Sequence, residues 1–119
     1  MMNIIAYLKS VSLGLLLTAC AYNKKVEDDK LCLQEPTITF ATVDSILDVH
    51  GCRGCHADGA QSGGVDLDGL DKVIQRANTG RLTQVMANGS MPPASSGYES
   101  VAPAEIEKIN RWICQGFNP

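Results

Sequence analysis

Three strong donor side chains stand within five residues of one another in the stretch CRGCH: Cys52, Cys55 and His56. On a helical turn, positions i, i+3 and i+4 share a face. A chain that turns here therefore presents two thiols and an imidazole to one side, and its fold must give that face something to hold. The rest of the sequence sharpens the demand. There are one Trp, three Tyr and two Phe in 119 residues, a thin set for a core. A domain of this size gains little margin from apolar burial alone, so a bound group or a disulfide is expected to add stability.

The chain opens with MMNIIAYLKSVSLGLLLTAC, in which Lys9 precedes an apolar run from Val11 to Leu17. That run falls short of the roughly 20 apolar residues that span a bilayer. A basic start, a short apolar middle and small residues before a cysteine read as an export signal. Leu17-Thr18-Ala19-Cys20 resembles the lipobox of bacterial lipoproteins, the alternatives being a plain signal or an ordinary amphipathic helix. The resemblance implies that residues 1–19 are cleaved and that Cys20 is acylated. It implies too that the protein is held by lipid in a bacterial cell envelope, facing the periplasm or the cell surface. Residues 20–35, with NKKVEDDK at their centre, read as a lipidated N-terminus and solvated tether, leaving 36–119 as the folded domain. Loss of residues 1–19 leaves 9 basic residues against 13 acidic ones. No basic stripe remains to meet a phosphate backbone, which argues against nucleic-acid binding.

Periodicity predicts an all-α domain. Phe40, Val43, Ile46, Leu47 and His50 form one stripe, with Thr42 or Asp44 as start signals. Gly51 and Gly54 loosen the chain around CRGCH, and ADGAQSGGVD reads as a loop. Leu67, Leu70, Val73, Ile74 and Ala77 mark a second helix, and Leu82, Val85 and Met86 a short third. The prolines make SMPPASSGYES a loop. The last helix runs from about Pro103 to Gln115, with Glu105 and Glu107 near its start and Gly116 just beyond its end. Its weak point is Ala102, a poor cap. No stretch alternates like a strand.

Cys-x-x-Cys-His is the spacing of covalent haem attachment: each thiol adds to one vinyl group while the imidazole reaches the iron from the same side. Export before attachment is the compartment that this chemistry needs, and the N-terminal stretch supplies it. A zinc site would need a fourth ligand, and no second Cys-x-x-Cys or His pair offers one. A thioredoxin-like redox pair needs a βαβ context, which the helical pattern does not provide. A simple disulfide or chance cysteines would leave His56 without a role.

An electron carrier also needs a ligand on the other side of the iron. His50 is the other histidine, but it precedes His56 by less than two helical turns and cannot reach the opposite face. Met91, between Gly89 and Pro92-Pro93, is the favoured donor, its thioether raising the reduction potential relative to a second imidazole. Met86 is the rival, on an apolar stripe where methionine more often fills gaps.

CRGCH, then SGGVDLDGL, then MPP, then EIEKINRWICQG together resemble a small single-haem class I cytochrome c domain of the bacterial lipoprotein type, over Phe40 to Gly116. CRGCH is specific, MPP moderately so, and the rest weak alone but in the expected order. The resemblance implies an all-α cytochrome c-like fold with N- and C-terminal helices crossing beside one covalent haem c. It implies thioethers at Cys52 and Cys55, a proximal His56, a distal Met91, and a Trp112 that packs. It also implies that the terminal segments meet, so that Cys32 and Cys114 can pair, the alternative being two buried thiols. The expected function is electron transfer to redox proteins docked at the haem edge, with no catalytic residue. The alternative is a peroxidase-like enzyme or small-ligand sensor with an open distal site.

Overall fold

A backbone N–H at a helix start has no partner inside its own helix, and the way this fold supplies one decides how its helices meet. The computed structural model describes Lys30 and residues 32–119. The chain divides into two units, Met1–Gln34 and Glu35–Pro119. Of the first, the described part includes a Leu33 N–H that donates to the Lys30 carbonyl at 3.2 Å. Cys20 and the whole signal lie outside the described residues.

The second unit is helical, with no strand among the described residues. Its helices are α1 (Phe40–Val49), α2 (Cys52–His56), α3 (Leu70–Asn78), α4 (Arg81–Ala87) and α5 (Pro103–Cys114). Single 3₁₀ turns stand at Ser62–Gly64 and Ala94–Ser96. None of these helices is long and apolar enough to cross a membrane.

Helix α1 buries Val43, Ile46 and Leu47, the stripe that periodicity predicts. It starts at Phe40, earlier than Thr42 or Asp44. The reason is tertiary: Thr39 gives no side-chain cap, and the Phe40 N–H donates instead to the Asn118 carbonyl at 2.9 Å. That same carbonyl accepts the Trp112 indole N–H at 2.8 Å, while the Asn118 amide donates to the Ile38 carbonyl at 3.3 Å. Nearby, the Ile38 N–H donates to Gln115 Oε1 at 2.9 Å. The C-terminal tail thus closes the start of the first helix.

Trp112 is fully buried between Phe40, with ring centroids 5.9 Å apart, and Phe117, edge-on at 5.0 Å. Such aromatic pairs contribute about 0.5–1.5 kcal/mol beyond their area. Around them lie Val43, Leu47, Val73, Leu82, Met86, Val101 and Ile109. Helix α5 packs on both α1 and α4, and α4 on α3.

Helix α3 begins at Leu70 and buries Val73 and Ala77. Leu67 joins the core from the preceding loop, because Gly69, at φ +89°, turns the chain before the helix starts. At α5 the start Pro103 and the end near Gln115 match the sequence reading. The poor cap is compensated from the opposite direction: the Ala102 N–H donates to Glu105 Oε2 at 3.0 Å.

Trp112→Ala is expected to destabilise the folded state by about 3–5 kcal/mol, through a cavity and the loss of the indole's hydrogen bond to the Asn118 carbonyl. Urea denaturation measures it, and a loss under 1 kcal/mol would contradict the stitched-core account.

Candidate functional site

The turn Cys52–His56 stands alone as helix α2 because Gly51 precedes it at φ +64°, a left-handed conformation that ends α1 and redirects the chain. Gly51 is required for a second reason, since a Cβ there would collide with the Tyr98 ring. Tyr98 itself is half exposed. The loop that carries Met91 is therefore seated, through Tyr98, against the residue just before Cys52.

Arg53 holds the turn to α1. Its guanidinium pairs with Asp44 and, at 2.7 Å, with Asp48, while its Nε donates to the Leu67 carbonyl at 3.4 Å. Asp44, a candidate start signal in the sequence, serves instead as this anchor. Arg53 and Asp44 are only partly exposed and Asp48 more so, so each pair adds little alone. Together they fix where α2 lies on α1.

His56 ties down the other side. Its carbonyl accepts the Leu67 N–H at 2.6 Å, and its ring Nδ1 donates to the Val65 carbonyl at 3.2 Å. Fixing the proton on Nδ1 leaves Nε2 as the lone-pair donor, the usual device for orienting a ligating imidazole. Nε2 takes no hydrogen bond among the described residues.

Cys52 is half-buried and Cys55 exposed, and both are free thiols. Burial pushes the Cys52 thiol up to about 11, with Asp48 and Cys55 adding to it and a backbone hydrogen bond opposing. Redox and nucleophilic cysteines carry lowered values, so this one is not poised as a thiolate. Cys32 and Cys114 are disulfide-bonded.

The methionines separate cleanly. Met86 is 5% exposed and packed in the core, whereas Met91 is 38% exposed. The Met91 N–H donates to the Val85 carbonyl at 3.0 Å, and Ser90 Oγ donates to the same oxygen at 3.3 Å. The loop is thus pinned to α4 just where the thioether leaves it.

Among the described residues, no group of three or more His, Cys, Asp or Glu could hold a metal ion. Iron in a porphyrin asks for less, because the macrocycle supplies four nitrogens and the protein one or two axial donors. Two free thiols on one turn, an imidazole with an available Nε2 and an unburied thioether are donors suited to that group. Trp112, packed and bonded to Asn118, is not among them.

Beside Tyr98 and the Val65 carbonyl, Arg53 and His50 were not legible as site residues. Arg53 reaches acidic residues five and nine positions back, off any single helical face. His50 is buried, with Nδ1 2.7 Å from the Glu99 carbonyl and Nε2 2.9 Å from Glu105 Oε2, partners about 50 residues away in sequence that no local pattern connects. No family model matches the chain, and neither does any curated protein or solved structure.

The Ala102 N–H, and then His50, hold the Glu105 carboxyl below the usual carboxylate range against the opposing effect of burial. A lowered folded-state value contributes stability above the unfolded value, about 4.3, and loses it as pH falls through the folded one. Glu105→Gln is therefore expected to cost stability at pH 7 but progressively less below about pH 4. Urea titrations of both proteins at pH 7 and pH 3 check it; an equal difference at both would contradict it.

Proposed function

We propose that this chain is a lipid-anchored, single-haem c-type cytochrome that carries electrons between redox proteins at a bacterial membrane. The observation that carries the reading is the CRGCH turn itself. It has two unpaired thiols and a His56 ring whose Nδ1 is committed to the Val65 carbonyl, so that Nε2 is left for iron. Cys52 and Cys55 would hold the porphyrin by thioether links, His56 would be the proximal donor and Met91 the distal one. When bound, the group supplies an iron that cycles between ferric and ferrous states. The chain's own part would be to hold His56 and Met91 in fixed places around that group, so that little has to move when an electron is gained or lost.

Several features support Met91 over Met86. Its side chain is outside the core, and its loop is anchored to α4 by Val85 and to the CRGCH side by Tyr98. The raised Cys52 thiol argues against a dithiol redox enzyme. A Cys32–Cys114 bridge belongs to the same reading, and closing a loop of that length stabilises by about 4 kcal/mol in the chain-entropy picture. Lipidation at Cys20 with a tether to residue 35 would let the domain move between donor and acceptor, through small and transient contacts.

Expression with a cytochrome maturation system is expected to give a band that keeps haem stain on a denaturing gel, with no titratable thiol after unfolding. Colour lost from the band, or the bare chain mass, would sink the reading.

Met91→Ala is expected to abolish the methionine-to-ferric-iron charge-transfer band and to raise affinity for added cyanide or imidazole. An unchanged spectrum and affinity would point to an open distal site, and so to an enzyme or sensor.

A further inference from the structure

His50 is the buried ionisable side chain that the proposed electron transfer leaves unused. It caps the end of α1, is 5% exposed, and meets two acceptors at once. Nδ1 lies 2.7 Å from the Glu99 carbonyl, and Nε2 lies 2.9 Å from Glu105 Oε2. A carbonyl cannot donate, so Nδ1 must. Glu105 is held as a carboxylate by the Ala102 N–H as well, so it also accepts. Each ring nitrogen therefore needs its own proton. The cation also sits at a helix C-terminus, where the unpaired carbonyls favour positive charge.

We propose that His50 is a positioning residue: a buried two-proton imidazolium that stitches three elements together. Through its backbone it ends α1, beside the CRGCH turn. Through Nδ1 it holds the loop running from Asn88 to Ala102, which bears Met91. Through Nε2 it holds the first turn of α5. Glu105, accepting from both His50 and Ala102, closes a ring of hydrogen bonds from Glu99 to Ala102 around the imidazole. The Tyr98 ring against Gly51 packs the next residue of the same loop onto the same spot. The stitch therefore sets where the Met91 loop lies relative to Cys52. Its bearing on an iron ligand rests on the reading above, but the two protons on the ring do not.

The test is ¹⁵N NMR of the full, matured chain kept reduced with ascorbate at neutral pH. Both His50 ring nitrogens are expected to give protonated-type signals. In Glu105→Gln the side-chain amide can donate to Nε2, so one ring proton is expected to disappear while the loop stays protected. In His50→Gln, exchange of the Val101 and Ala102 amides is expected to rise about tenfold, with α3 amides unchanged. A bare ring nitrogen in the unsubstituted protein would overturn the proposal, and so would unaltered Val101 and Ala102 exchange in His50→Gln. The ring signals need no substitution, so they decide the matter even if a variant fails to fold. Absence of a methionine-iron band in the unsubstituted protein would count against Met91 as ligand, and not against the stitch.

Discussion

The Asn118 carbonyl is the point on which the helical unit closes. It accepts the Phe40 N–H that begins α1 and the indole N–H of Trp112 in the last turn of α5. A carbonyl has two lone pairs, and here each one reaches a different end of the sequence. Neither donor has another partner in its own element, since α1 has no side-chain cap and an indole cannot bond within its helix. The aromatic core of Phe40, Trp112 and Phe117 forms around this one oxygen. With so few aromatics in the chain, placing three of them at one junction concentrates what burial can contribute.

The opposite ends of α1 and α5 meet through a different chemistry, the hydrogen bonding of His50 to Glu105 and to the Glu99 carbonyl. One end is built on packed aromatic rings, the other on polar side chains. The CRGCH turn is attached beside the polar end, and Arg53 with Asp44 and Asp48 holds it there. The candidate donors therefore hang from a frame of two helices fixed at both extremities. Rigid support of this kind is what a site needs when its groups must keep their places while charge changes.

Most of the secondary structure was legible because it follows local rules. The stripe of Val43, Ile46 and Leu47, the buried Val73 and Ala77, and the span of α5 all appear where periodicity, Pro103 and Gly116 put them. The start of α1 was misplaced because its cap comes from Asn118, far along the chain. Ala102 looked like a defect because the compensation runs backward from Glu105. The donors of CRGCH and the contrast between Met91 and Met86 were readable from spacing and neighbours. Arg53, His50, Tyr98 and the Val65 carbonyl were not, since each acts through a partner that only the folded chain brings near. A carbonyl, moreover, belongs to every residue and leaves no mark in a sequence.

The segment between His56 and Leu67 carries one more consequence. It is fastened at its roots, by the His56 carbonyl, by the imidazole on Val65 and by Asp66, which pairs with Lys72, while every residue from Asp58 to Gly64 faces outward. The orientation of the ring is thus set by the base of the loop and is independent of its tip. Lengthening, trimming or decorating that tip leaves the aim of the imidazole unchanged.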